Sequence, residues 1–171
     1  MATVALKYPS RRFAVLSRLR SMRASVGFMK RLFAVAEHRA DRDGEPAPGP
    51  EHLLLAAVDL DDGVARGVLG EAGVAAEDLA DAVARARGSR GTEDADETIR
   101  HAGVFIMTEP AQEAFQAASR YSRSDKVTLN SGYVLAGIAT LERGAAVSAL
   151  RSLGVDRSAL HAAARQAARH P

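Results

Sequence analysis

The residues of this chain that could do chemistry are few and widely spaced. Five histidines, His38, His52, His101, His161 and His170, stand without the i,i+4 pairing that sets two imidazoles on one helical face, so no metal site is expected of them. Four carboxylates crowd together at Glu93, Asp94, Asp96 and Glu97. A calcium loop alternates its ligands around a turn glycine, and that pattern is missing, so the cluster reads as a solvated charge run. Asp61-Asp62 falls in what reads as an exposed turn, where a surface role is expected rather than proton transfer. The absence of cysteine removes disulfides, thiol catalysis and thiolate metal sites, and fits a reducing cytoplasm. Neither a GxxxxGK(S/T) phosphate loop nor GxGxxG, HExxH or GxSxG is present. The expectation is a protein with no catalytic residues, no metal and no cofactor, and hence no enzyme.

What the sequence does carry is a duplication. Leu54, Gly63, Ala65, Leu69, Gly73, Val74 and Leu79 recur as Leu135, Gly144, Ala146, Leu150, Gly154, Val155 and Leu160, each 81 positions later. Upstream, Phe33 and Ala36 answer to Phe115 and Ala118 at an offset of 82, so one residue has been gained or lost in the loop between. A unit of this length is too long for a solenoid repeat and holds several helices. The apolar fraction of 47% comes mainly from Ala, Leu and Val, with no tryptophan. That composition favours closely packed helices over a sheet. The expected fold is all-α, two tandem four-helix repeats packed as a pseudo-twofold bundle. No apolar run reaches the roughly 18–20 residues that span a bilayer, and no secretory leader is visible at the start, so a cytoplasmic location is expected.

Four segments are expected: a basic extension over residues 1–24, a first repeat over 25–87, an acidic, glycine-rich linker over 88–106, and a second repeat over 107–171. In the first repeat the helices should cover Val26–Arg39, a stretch beginning at Pro50, one from Gly63 or Val64 to Gly73, and Glu77–Arg87. Pro50 suits a first helical turn, and Glu51 behind it lies where the helix dipole favours a carboxylate. The loop Asp41–Gly49 reads as rigid and exposed. Gly73-Val74 and Gly154-Val155 read as helix ends in which glycine turns left-handed and valine folds back onto the last turn. In the second repeat Thr108-Glu109-Pro110 should open a helix to Arg123, Ser131 should cap Gly132–Leu141, and Asp156 should cap the last helix.

Charge is unevenly spread. The net charge is +2, yet residues 1–36 carry Lys7, Arg11, Arg12, Arg18, Arg20, Arg23, Lys30 and Arg31 with no acid, which leaves 15 basic and 21 acidic residues, or −6, for the rest. Phe13, Leu16, Leu19 and Met22 follow one another at three-residue spacing among these arginines, so the head reads as a short extended stretch at Thr3–Tyr8 and then an accessory helix packed on the repeats. The alternative is that residues 1–24 meet nucleic acid or an anionic membrane.

The string Gly49-Pro50-Glu51-His52-Leu53-Leu54-Leu55, then Asp62-Gly63-Val64-Ala65 and Val68-Leu69 up to Gly73-Val74, resembles the Clp N-terminal repeat. That repeat is found twice at the front of Clp unfoldases of the ClpA and ClpC type. In the second copy Ser131-Gly132-Tyr133 stand where Pro50-Glu51-His52 stand in the first. The resemblance covers about residues 25–169 and implies a stand-alone N-domain without AAA+ motor domains. It implies a chaperone-associated protein-binding module that docks adaptors and clients of Clp proteolysis, or competes for them. It further implies a ligand site at Glu51, Pro50 and His52, with Glu51 in the place of the acid that faces the guanidinium of phosphorylated arginine. Pro50 replaces the family's threonine, and Gly132 stands where the second copy should carry its acid, so both pockets depart from the pattern.

Overall fold

A computed structural model describes the backbone of residues 11–89, 99–102 and 105–171, and the side chains of residues 23–89 and 105–171. The expected extended stretch at Thr3–Tyr8 and the acidic run at 93–97 lie outside the described residues. Among the described residues there are eight helices and one two-stranded hairpin: α1 (Arg11–Arg42), α2 (Pro50–Asp59), α3 (Val64–Glu71), α4 (Ala76–Gly88), β1 (Ile99–Ala102), β2 (Phe105–Thr108), α5 (Glu109–Asp125), α6 (Ser131–Ala139), α7 (Ala145–Ser152) and α8 (Arg157–Ala168).

Two helices set the architecture. Every residue of α2 from Pro50 to Val58 is buried, and so is every residue of α6 from Ser131 to Ala139. A helix that is apolar on all sides must be enclosed, and here the two lie against each other at the centre. Helix α1 covers α2, and α5 covers α6. The third helices are exchanged: α3 of the first repeat packs on α6 and α8 of the second, while α7 packs on α2 and α4. Neither repeat closes its own core. Phe33 meets its repeat mate Phe115 edge-on with ring centroids 5.0 Å apart, which brings equivalent positions of the two copies together. This is the all-α, pseudo-twofold pair of repeats expected from the duplication.

The turn chemistry follows the sequence where glycine dictates it. Gly73 and Gly154 both take φ of 74–77°. The N–H of Val74 then donates to the Leu69 carbonyl at 2.9 Å, and that of Val155 to the Leu150 carbonyl at 3.0 Å.

Three expectations are corrected. The accessory helix and the first repeat helix are one 32-residue helix, α1, because no proline interrupts the chain between Pro9 and Pro46. The linker ends in a hairpin, with Ile99 opposite Thr108 and Ala102 opposite Phe105. Phe105 stacks on Phe33 at 4.2 Å, Met107 and Thr108 are buried, and Ile106 is exposed at 42%. A strand of four residues without strict alternation is too short to stand out from its surroundings. The loop before α2 is exposed only at its start; Ala47, Pro48 and Gly49 are buried, and the Pro48 carbonyl accepts the Thr108 N–H at 3.0 Å.

Helices α5 and α6 cross closely at Gly137, where a Cβ would lie 2.1 Å from the Ala114 carbonyl oxygen. Gly67 lies in α3 with open space around it. Gly137→Ala is therefore expected to destabilise by about 1–3 kcal/mol or more through overpacking. Gly67→Ala should stabilise by about 0.5–1 kcal/mol through helix propensity. Chemical denaturation of the two variants checks both signs, and a neutral Gly137→Ala would contradict the close crossing.

Candidate functional site

The start of α2 is buried together with its first backbone N–H groups, which have no partner inside the helix. The residues that follow supply one. The Gly49 N–H donates to His52 Nδ1 at 2.9 Å, the reciprocal half of a capping box with histidine in the place usually held by Glu or Gln. Accepting on Nδ1 fixes the imidazole proton on Nε2. That atom faces Asp43 Oδ2 at 3.3 Å. Asp43 is held in turn by Arg87 Nη1 at 2.5 Å, and Arg87 Nη2 reaches Glu45 at 3.1 Å. A chain of partners thus runs from the α2 start through the end of α1 to the end of α4.

Glu51 is 1% exposed. Its carboxylate folds back over Gly49, so close that a Cβ there would lie 2.8 Å from Oε1, and Oε1 is 3.9 Å from His52 Nδ1. A side chain at position 49, whose φ of −91° is open to any residue, would displace this carboxylate. The carboxylate sits at the positive end of the α2 dipole, where a negative charge stabilises its own helix. Burial lowers the His52 pKa below its ordinary 6.5; Arg87 adds to the effect, while Glu51 and Asp43 oppose it. The imidazole is neutral and serves as a cap.

The second copy is closed in another way. Asn130, not Ser131, is the N-cap of α6: its side-chain oxygen accepts the N–H groups of Gly132 at 3.1 Å and Tyr133 at 3.3 Å, and its amide donates to the Ala168 carbonyl at 2.8 Å. Ser131 is thereby freed to reach across the pseudo-twofold. Its N–H donates to Asp62 Oδ2 at 2.8 Å, its hydroxyl donates to Asp62 Oδ1, and its Oγ accepts the Ala65 N–H at 2.9 Å. Asp62 lies in an exposed turn, as expected, and from there it is also the clasp between the repeats. Gly132 is enclosed: a Cβ would lie 2.7 Å from Val64 and 3.0 Å from the Ala168 methyl. No acid fits there without parting α3 and α8 from α6. Tyr133 is fully buried, and its hydroxyl reaches Asp125 Oδ2 at 3.3 Å.

The structure brings Pro50, Glu51 and His52 together with Asp43 and Arg87, and brings Ser131, Gly132 and Tyr133 together with Asp62 and Asp125. Asp43, Arg87, Asp125, Arg165 and Arg169 belong to no motif that the sequence displays. Yet Asp43 and Arg87 recur as Asp125 and Arg169, both 82 positions on, the offset already set by Phe33 and Phe115. Each copy so builds one acid at the end of its first helix, one ring at the third position of its second, and one arginine at the end of its fourth.

Two bundled four-helix repeats that close each other's cores, with a buried capping constellation at the start of the central helix, define a double helical-repeat domain. Residues 29–101 match the family described as Clp repeat (R) N-terminal domain. Among solved structures that match, the N-terminal domain of the caseinolytic protease associated chaperone ClpD from Arabidopsis thaliana is 21% identical, with a TM-score of 0.59 over 78% of this chain and 87% of that one. No curated protein matches the chain in sequence. The chain therefore has the fold of a Clp N-terminal domain, and its sequence match to the Clp repeat is confined to residues 29–101. Among the described residues no helix is long and apolar enough to cross a membrane.

His52 yields a pH-dependent stability. The unfolded chain takes up the imidazole proton near pH 6.5, the folded chain only at lower pH, so the stability His52 contributes is present above pH 6.5 and is lost as pH falls below it. His52→Gln, which keeps an acceptor for the Gly49 N–H, should retain most of the stability and lose this pH window. His52→Ala should cost about 0.5–2 kcal/mol at pH 7.5. Denaturation midpoints measured between pH 5 and 8 check both; an identical pH profile for wild type and His52→Gln would refute the role.

Proposed function

We propose that this domain is a non-enzymatic binding module of the Clp unfoldase and protease system, one that holds adaptors or clients for which a Clp N-domain has affinity. The observation that carries the reading is the match of residues 29–101 to the Clp repeat, joined to a fold in which two such repeats share one core. The finer reading is recognition of phosphorylated arginine at the α2 start. A carboxylate can accept two charge-assisted hydrogen bonds from a guanidinium, and a helix start suits a phosphate. Glu51 would have to turn away from Gly49 to offer its oxygens, and Pro50 has no N–H to add.

Purified protein on a matrix should retain Clp components or their clients from native lysate, as a ClpC N-domain does in parallel. Recovery of neither, with the control working, speaks against the module. For the finer reading, calorimetry with phosphoarginine peptides should show binding that Glu51→Gln weakens by more than about 1 kcal/mol, the size of a lost charge-assisted bond. No heat of binding to the wild type would end phosphoarginine recognition and leave the module standing.

A further inference from the structure

We propose that the face formed by α5 and α8 is a second binding site, one that takes an oxyanion, carboxylate or phosphate, on the outward edges of Arg165 and Arg169. An open recess of about 350 Å³ runs along α8 and its C-cap, lined by His161, Ala162, Arg165, Gln166 and Arg169. Asp125 forms the base beneath the two arginines, its side chain 9% exposed. Arg165 donates to it from Nε at 3.2 Å and Nη2 at 2.9 Å, and Arg169 from Nε at 3.0 Å and Nη2 at 3.2 Å. Both guanidiniums turn the same edge inward. Each keeps Nη1, with two N–H bonds, for something else, and their side chains are 28% and 45% exposed.

Arg165 is also held in place before any ligand arrives: it lies over the Tyr121 ring at 4.8 Å, and His161 packs edge-on against the same ring at 5.3 Å. Two guanidiniums gathered on one carboxylate suit an oxyanion at their remaining N–H bonds, because less side-chain freedom is left to lose on binding.

The charge balance singles out the second repeat. Asp125, Arg165 and Arg169 sum to +1; in the first repeat Ala84 stands where α8 has Arg165, and the matching Asp43 and Arg87 are joined by Glu45 instead, which makes −1. Helix α4 carries Glu77, Asp78 and Asp81, whereas α8 has no acid at all. One copy of the duplicated clamp thus carries a net negative charge and the other retains an unmatched positive charge.

The test is a titration, followed by amide and arginine side-chain NMR at constant ionic strength, with inorganic phosphate in one arm and a glutamate-rich peptide in the other. A saturable shift confined to α5 and α8 is expected in at least one arm, and the arm that responds names the source of the oxyanion. Arg169→Gln should weaken binding at least tenfold. Gln166→Glu, which leaves the Asp125 clamp intact and sets a carboxylate in the cleft, should do the same, so a folding defect in the first variant does not shield the proposal. No saturable shift in either arm, or affinity unchanged in Gln166→Glu, overturns the site.

Discussion

The structure depends on one constraint: helix α2 is buried from Pro50 to Val58 and α6 from Ser131 to Ala139, and with them the backbone N–H groups of their first turns. A buried donor left without an acceptor costs about 1–3 kcal/mol, and each helix start exposes several. Enclosing Leu53, Leu54, Leu55, Leu135 and Ile138 therefore obliges the fold to bring acceptors inside. At α2 they come from the same turn, His52 Nδ1 reaching the Gly49 amide. At α6 they come from Asn130 and from Asp62 of the other repeat.

The two solutions are not interchangeable, and the difference explains the sequence asymmetry. Asp62 reaches the α6 start because Ser131 there offers both an N–H and a hydroxyl. The matching pair in the other direction would be Arg143 and Pro50: a cation in place of the carboxylate, and a residue with no N–H to give. The clasp is made once. Freed from that contact, the α2 start is closed by its own Glu51 and His52, while Gly132 lies so close to Val64 and Ala168 that α6 has no room for an equivalent acid. The exchanged packing of α3 and α7 has thus turned a duplicated sequence into two unlike helix starts.

Much of this was legible beforehand, for identifiable reasons. Helix ends at Gly73 and Gly154 were readable because left-handed backbone selects glycine, and Asp156 because a cap is a local matter, its carboxylate taking the Ala159 N–H at 2.7 Å. The helical pairing followed from the 81-residue offset. Asp62 is the exposed acid its turn suggests, but its contact with Ser131, 69 positions away, is betrayed by nothing local. Serine is a good cap, yet Asn130 just before Ser131 is at least as good and takes the position. Hairpin β1–β2 was hidden by its shortness, and the Asp–ring–Arg clamps by their dependence on an offset that only the loops between repeats reveal.

The residues that resemble the family's ligand motif are the ones that hold α2 in place, so a ligand at that helix start competes with the protein's own cap. A forked guanidinium contact to a carboxylate is worth about 1.5–3 kcal/mol. Undoing a cap of this kind costs about 0.5–2 kcal/mol, and the Glu51 carboxylate gives up its place at the positive end of the helix as it leaves. The difference is small, and any affinity at Glu51 has to come from contacts outside the motif. The α5–α8 face is free of that conflict: Arg165 and Arg169 satisfy Asp125 with one edge and present the other outward, so an anion binds there without dismantling anything the fold requires. In this domain the position inherited from the repeat is committed to stability, and the position where the copies have diverged in charge is the one open to a partner.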